Sequence, residues 1–578
     1  MRRTGIAGAI VVGLAGAIVI TWFALSGFRA AGLPLGFPLD DAWIHVRFAQ
    51  NLARTGCFAF NPGEPTAGST SPLWVVLLAG ASLLSHEFVL TAISLGIVSY
   101  LLLGLGTYFI ARRMFDNDGA AVLAATMVLV NVRVVWAALS GMETCLAAWL
   151  ALAAVDCFAA DEANRRATMP QSDSSTPKDS IGRRMNSLAA PVLFGLASLA
   201  RPEAHLLFAL AVFLRIVGSC RRDTPAREFL RIVPFRMIAI YVLVTAPWHL
   251  FSLWSSGSLL PNTFRANFRG LATTRYPAGY YTYYARWLFV RDHPWAYWFV
   301  PLGILVTIRE TLRQARPGST ATRLTGYALT LAQLSTLWVI CYPVASRIIL
   351  PMIRHHARYM IPMTPFHALL SVLGISVLVR PILSWVGSGR GVEAGAAPGT
   401  PSEVQPAATN RRWIAAAYTT LVLGIAFSAL PGLSKWVEIY GGNVYSINHQ
   451  HVAMAEWVRD HTPPDAVIAA HDIGALGAIS QRRVLDLFGL ATPGMIRKAS
   501  QIIPTLDDAS RWYVERLKAG KATLLIGYPE WLGFRAEAPD CFVEVHREVL
   551  QQRDISGGLL LVAYRIRADR LAELLSKR

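Results

Sequence analysis

Leu39-Asp40-Asp41-Ala42-Trp43-Ile44-His45-Val46-Arg47-Phe48 sets two adjacent carboxylates just past the first long apolar run of the chain, Gly5 to Phe28. An ionisable group at a membrane edge is costly unless it is paired or used, and an ordinary anchor needs no such pair. Two adjacent Asp residues can hold a proton, a hydroxyl group or a metal ion. The chemistry of the chain is therefore expected here.

The chain has 578 residues, 54% hydrophobic and 16% charged. Soluble domains carry about 25% charged residues, so most of this chain must be solvated by lipid. A formal charge of +18 would suit nucleic acid. The basic residues, however, are spread over short loops between apolar runs, which is the positive-inside pattern of a membrane protein. A lipid bilayer is the expected partner and nucleic acid is not. Met1-Arg2-Arg3 keeps the N-terminus in the cytoplasm, and the first run reads as a retained helix, so the Asp pair emerges outside.

Further apolar runs lie at 88–111, 119–135, 143–160, 187–200, 203–219, 233–254, 293–308, 324–343, 358–380 and 412–431, giving about eleven spans. Leu73 to Ser85 is too short to cross and reads as a re-entrant or interfacial helix on the outer face. With this count the Arg-rich loops 161–186, 220–236, 309–323 and 380–412 all fall inside. Residues 386–410, rich in Gly, Ala, Pro and Ser, read as a flexible cytoplasmic linker. From 432 onward the pattern changes. A helix over about 449–461 precedes a strand from Ala466 to Ala470, and apolar runs at 523–527 and 558–565 alternate with helical stretches such as 507–519. The expected fold is a polytopic α-helical membrane domain over 1–431, with a first outer loop at 29–87, followed by an extracytoplasmic α/β domain over 432–578. An inner or plasma membrane location follows. Cys57 and Cys541 both fall outside, which leaves a disulfide between them open.

Sorting polar residues by side gathers the candidate site on the outer face. Asp41 and His45 are four apart and share a helical face. One carboxylate of the pair would act as general base on a hydroxyl nucleophile, the alternative being a helix start with an ion pair one turn on. Arg347, Arg354 and Arg358 share a face if Pro351 does not break the helix, and with His355 they form a cationic cluster suited to phosphate. Glu143, after Ser140-Gly141-Met142, orients an acceptor, assists a metal or completes a capping box. Asn262 and Arg265 lie in an outer loop with Tyr276, Tyr280, Tyr281, Tyr283 and Tyr284, either an interfacial belt or a wall for sugar or lipid. His471-Asp472 follows a strand and either contacts the acceptor or forms a turn. No cofactor is called for. A divalent cation is open, with Asp41 as its ligand.

The run Asp40-Asp41-Ala42-Trp43-Ile44, Arg47-Phe48, Asn51-Leu52, Phe60-Asn61-Pro62-Gly63-Glu64 and Gly68-Ser69-Thr70-Ser71-Pro72-Leu73-Trp74 resembles the first outer loop of GT-C membrane glycosyltransferases. It is most similar to the group that contains the terminal arabinofuranosyltransferase of mycobacterial cell walls. Gly141-Met142-Glu143-Thr144, Arg201-Pro202-Glu203, Leu260-Pro261-Asn262-Thr263, Arg358-Tyr359-Met360-Ile361-Pro362 and His471-Asp472-Ile473-Gly474 follow in the expected order. The resemblance implies transfer of a sugar from a polyprenyl-phosphate donor to a glycan, glycolipid or protein hydroxyl outside the membrane, with inversion. It implies Asp40 as general base, Asp41 as its partner, and Arg354, His355, Arg358 and Arg347 around the donor phosphate. His45, Glu143, Asn262, Arg265, His471 and Asp472 would line the substrates. Trp43 and Ser69 stand where the group commonly carries Tyr, so arabinose is not carried over. The competing class is a transporter or flippase for lipid-linked sugars, which would show inverted repeats and interrupted helices. The sequence displays neither.

Overall fold

The computed structural model describes residues 3–32, 35–167, 180–220, 232–262, 279, 282, 285–286, 295–315, 324–349, 355–388, 406–492, 506–536, 538–552 and 554–577. Its first nine helices are α1 Arg3–Ala31, α2 Asp40–Thr55, α3 Pro72–Ala81, α4 Phe88–Phe115, α5 Asp118–Leu129, α6 Val132–Ala138, α7 Thr144–Ala167, α8 Ser180–Ala200 and α9 Ala204–Ser219. Helices Phe235–Ser256, Val300–Gln314, Gly326–Ile349, Thr364–Ser388 and Pro406–Ser446 follow. Expected and observed elements differ in number. Among the described residues, seven helices are long and apolar enough to cross a membrane, or eight if α5 and α6 form one span bent by 63°.

The difference has local causes. The run 119–135 is broken at Asn131, whose side chain accepts from the Arg133 and Val134 N–H groups and so starts a new helix. The runs 187–200 and 203–219 appear as short apolar helices on either side of Arg201-Pro202. The run 293–308 opens as a 3-10 turn, Trp295–Phe299, and becomes an α-helix only at Val300. The shared helical face for Arg347 and Arg358 does not form either. The α-helix ends at Ile349, and His355, His356 and Ala357 then take φ values of 50°, 58° and 57°, which turns the backbone before Arg358. Arg265, Arg354, all five tyrosines of the run and most of the linker 386–410 lie outside the described residues.

After the long helix, a wide turn Ile447–Val452 and the helix Ala453–His461 lead into a sheet of order β2-β1-β3-β5-β4. Its strands are β1 Val467–Ala470, β2 Arg483–Asp486, β3 Leu524–Gly527, β4 Phe542–Val549 and β5 Leu560–Ile566. β1 pairs in parallel with β2 and β3, while β5 runs antiparallel between β3 and β4. The sequence reading leaves β4 unassigned, although Val543, Val545 and Val549 alternate there with polar residues. One face of the sheet is covered by the helices Leu506–Ala519 and Ala568–Lys577, through Val514, Leu517 and Leu571 on Leu485, Leu525 and Val562. The disulfide left open above is absent: Cys57 and Cys541 are both free thiols, and Cys541 is buried in that apolar layer.

The sheet is fastened to the first outer loop by residues of the quoted motifs. The Asn61 side chain donates to the Val484 carbonyl and accepts from the Val484 N–H, each at 2.9 Å, so it pairs with the edge strand β2 as a backbone would. Arg47, 1% exposed, donates to Phe60 O at 3.0 Å and to Gln481 Oε1 at 2.5 Å. The helix Gly474–Ser480 lies against α2 at backbone distance. A Cβ on Gly474 would stand 2.0 Å from Asp40 O, and one on Gly477 would stand 2.5 Å from the Phe60 ring. Glycine is needed at both positions for this close approach.

Candidate active site

The parallel strands point their carboxyl ends, and the loops beginning His471-Asp472, Leu487 and Tyr528, toward the Asp pair. In open α/β sheets that is the end where ligands bind. α2 brings Asp40 and Asp41 there in its first turn, where acidic residues suit the helix dipole. Successive residues of a helix point about 100° apart, and the two carboxylates have different partners.

Asp40 faces the sheet domain. Its Oδ2 accepts the Gly474 N–H at 2.8 Å and its Oδ1 the Ala475 N–H at 2.9 Å, so it satisfies the first donors of the helix Gly474–Ser480. His451 Nδ1 stands 3.2 Å from the same Oδ1. His451 Nε2 meets the Tyr528 hydroxyl at 2.8 Å and lies 3.9 Å from Asp472 Oδ2. Asp472 is held up at about 6 by burial, and by the charges of Asp40 and Asp41, against the opposing pull of His451.

Asp41 faces the membrane domain. Its Oδ2 accepts from Arg358 Nη2 at 2.5 Å, and its side chain is 37% exposed against 12% for Asp40. Burial would raise this carboxyl, but the Arg358 and His355 charges and the Arg358 hydrogen bond together hold it down at about 2. Arg358 also donates to the Tyr359 hydroxyl at 3.2 Å. Its Nε and Nη1 are buried with no hydrogen-bond partner among the described residues. Buried guanidinium N–H groups left open in this way are matched to an anionic oxygen.

Behind Asp41 runs a buried chain of polar contacts. Ser69 Oγ lies 3.3 Å from His45 Nδ1, His45 Nε2 lies 3.5 Å from Glu143 Oε2, and Arg201 Nη1 donates to Glu143 Oε1 at 2.9 Å. Arg201 also pairs with Glu203 at 2.7 Å and sits over the Tyr359 ring, 5.0 Å from its centre. Burial, the largest effect, pushes the His45 imidazole down, so it stands neutral in this chain. Glu143 is 2% exposed with both oxygens turned to protein groups. It orients His45 and Arg201, and since the following helix starts only at Thr144, the capping alternative does not form. Asn262 has a positioning contact of its own. It is fully buried, and it holds the first outer loop through Thr66 Oγ1 at 3.1 Å, Ser256 Oγ at 3.2 Å and Ala67 O at 3.1 Å.

The structure thus brings Asp40, Asp41, His45, Glu143, His355, Arg358, His471 and Asp472 to one region. His356, beside the cluster, is engaged elsewhere: its Nε2 contacts Asn443 Oδ1 at 2.7 Å and its carbonyl accepts from Arg133. Sequence reasoning missed His451, Tyr528 and Tyr359. Only Tyr359 carried a signal, by standing next to Arg358 in the quoted motif. Among the described residues no three His, Cys, Asp or Glu side chains converge on a point that could hold a metal ion.

One family model matches part of the chain, a domain of unknown function (DUF8728) over residues 442–567, which spans the wide turn and the sheet. No curated protein matches the chain in sequence. Among solved structures, the chain is similar to the apo oligosaccharyltransferase of Archaeoglobus fulgidus with a TM-score of 0.55 at 13% identity, over 98% of this chain and 75% of that one. The oligosaccharyltransferase AglB of Archaeoglobus fulgidus, in complex with an inhibitory peptide and a dolichol-phosphate, gives 0.56 at 12%, over 96% and 74%. ArnT from Cupriavidus metallidurans gives 0.49 at 16%, over 98% and 99%. The chain shares the fold of the Archaeoglobus fulgidus oligosaccharyltransferase: a polytopic helical domain followed by a C-terminal domain.

Proposed function

We propose that this chain is an integral-membrane glycosyltransferase. It transfers a sugar from a polyprenyl-phosphate donor to an acceptor hydroxyl on the extracytoplasmic face, in the assembly of a cell-envelope glycan or glycolipid. One observation carries the reading: Arg358 is buried at the Asp pair with two donors open and its third nitrogen on Asp41. The dolichol-phosphate bound by AglB supports a lipid phosphate as the group that fills it.

The donor phosphate accepts from an open N–H of Arg358, with His355 beside it. Phosphate then shares the Arg358 charge that helps to hold the Asp41 carboxyl at about 2. Asp41 becomes a stronger base only once donor is bound. The acceptor oxygen attacks the anomeric carbon as the bond from that carbon to the phosphate oxygen breaks. The acceptor proton goes to Asp41, and the polyprenyl phosphate leaves with the bonding electrons, its charge stabilised by Arg358. A single displacement of this kind inverts the anomeric centre. The Asp pair's roles are thereby exchanged relative to the sequence reading: Asp41 is the base, and Asp40, with both oxygens taken by N–H donors, is a positioning residue.

Mass spectrometry of envelope glycans and lipid-linked sugars in a host carrying Asp41→Asn tests this. The expected result is an accumulated polyprenyl-phosphate sugar and a glycan lacking that sugar, with the protein at normal abundance. Unchanged glycan and lipid pools in that strain would overturn the reading.

A further inference from the structure

The sheet domain exposes aromatic rings beside the Asp pair that the donor chemistry leaves unused. Phe488 is 45% exposed and Trp531 is 39% exposed, although each is held firmly. Phe488 sits in the loop after β2, which Asp486 closes by accepting the Phe488 N–H at 2.9 Å and the Ala491 N–H at 2.7 Å. Trp531 follows β3 in the turn Pro529–Trp531 and lies so close to Gly557 that a Cβ there would stand 2.6 Å from its ring. His471, after β1, stands between them. Its ring centre is 4.9 Å from that of Phe488 and 6.1 Å from that of Trp531, and the last two are 6.2 Å apart. The three strand ends thus present one ring trio.

Two polar features show what the trio is for. His471 is 7% exposed, yet its Nδ1 has no hydrogen-bond partner among the described residues. A buried imidazole nitrogen left unpaired calls for a partner, and beside exposed rings a ligand can supply it. The next residue, Asp472, presents a carboxylate with 26% of its side chain exposed, and Tyr528 links it back to His451 and the Asp40 side of the site. Rings offering apolar faces, with an acceptor carboxylate and an open imidazole nitrogen at their edge, match a ligand that is apolar on its ring face and hydroxylated at its rim. A sugar ring has that chemistry: its C–H face packs on an aromatic face, and its hydroxyl groups bond carboxylate and imidazole. The acidic surroundings, with Asp472 beside Asp40 and Asp41, disfavour an anionic unit. They also place this side of the site opposite in character to the Arg358 side.

We propose that Phe488, Trp531, His471 and Asp472 form an acceptor subsite for an uncharged saccharide, so that the acceptor of the transfer is a glycan chain rather than a peptide or a bare lipid. This rests on the glycosyltransferase reading and specifies its second substrate.

The test uses the full chain in lipid nanodiscs and four probes: two uncharged linear hexasaccharides, one of hexopyranose and one of pentofuranose units, a Ser/Thr/Asn-containing hexapeptide, and undecaprenyl phosphate. Saturation-transfer NMR and titration read binding. The expected result is that at least one hexasaccharide binds and the hexapeptide does not. Trp531→Ala with Phe488→Ala should weaken saccharide binding about tenfold or more, while Trp531→Phe retains most of it and undecaprenyl phosphate binding stays unchanged in all variants. Saccharide binding indifferent to these substitutions, no saccharide binding at all, or binding of the peptide at the same rings would overturn the subsite. Retained undecaprenyl phosphate binding in that event leaves the donor reading standing. Loss of lipid-phosphate binding by Arg358→Ala alone is the separate check on that reading.

Discussion

At the scale of the residue, adjacency in sequence hides opposite environments. A helix turns Asp40 toward the sheet domain, where two N–H donors hold it, and Asp41 toward Arg358. Substitution should separate the two. Asp41→Asn removes the proton acceptor without touching the domain junction, so transfer should fall by about 100-fold or more with the melting temperature nearly unchanged. Asp40→Asn keeps one oxygen but turns an NH2 group toward an N–H donor, leaving that donor unsatisfied at a cost of about 1–3 kcal/mol. It should lower the melting temperature and reduce transfer less than Asp41→Asn does. Parallel thermal melts and transfer assays of the two variants check this; the opposite ranking would return the base to Asp40. The sequence made the Asp pair and Arg358 legible because buried or membrane-edge charge is rare. It could not rank Asp40 and Asp41, since the ranking depends on Gly474 and Arg358, which are hundreds of residues away in sequence.

At the scale of the element, the loop after β2 depends on a buried acid. Asp486 is fully buried, and burial raises its carboxyl from 3.8 to about 6 against the opposing effect of its backbone donors. A carboxyl raised by folding binds its proton more tightly in the native state. Its contribution to stability is complete below the unfolded value near 3.8 and is lost as pH rises toward 6. Relative to Asp486→Asn, the wild-type chain should therefore lose about 2 kcal/mol between pH 4 and pH 6. Melting temperatures of both proteins across that range measure it, and parallel curves would refute it. Nothing in Asp486-Leu487-Phe488-Gly489-Leu490 distinguishes this cap from an ordinary turn, because burial of the acid comes from the sheet packed around it. The same limit applies at His355-His356-Ala357. Three successive left-handed residues without glycine contradict local preference, so only tertiary packing, such as Arg133 on the His356 carbonyl, accounts for the turn that aims Arg358.

At the scale of the whole molecule, the site is a seam between two bodies with opposite character: arginine and histidine on the membrane side, carboxylates and aromatic rings on the sheet side. The spans were legible from apolar runs and the sheet domain from its change of pattern, but the seam was not, since it is written in long-range pairs. Asn61 pairs with Val484, Arg47 with Gln481, and Gly477 lies on Phe60. These pairs also separate a transferase from a transporter. Alternating access needs one body to rock against the other around the bound substrate, whereas transfer needs the two carboxylates and Arg358 held in register. Gln50 on α2 donates to the Ala478 carbonyl at 3.4 Å, so positions 50 and 478 straddle the seam away from the catalytic groups. Cysteines at those positions, with Cys57 and Cys220 replaced by Ser and a short bismaleimide bridge added, would fix the two bodies together. A transferase locked in this way should lose no more than about half its rate, measured as sugar transferred in nanodiscs. Collapse of the rate on cross-linking, restored by a longer bridge, would mean that the sheet domain must move through each cycle, and absence of any transfer before cross-linking would favour the transport reading.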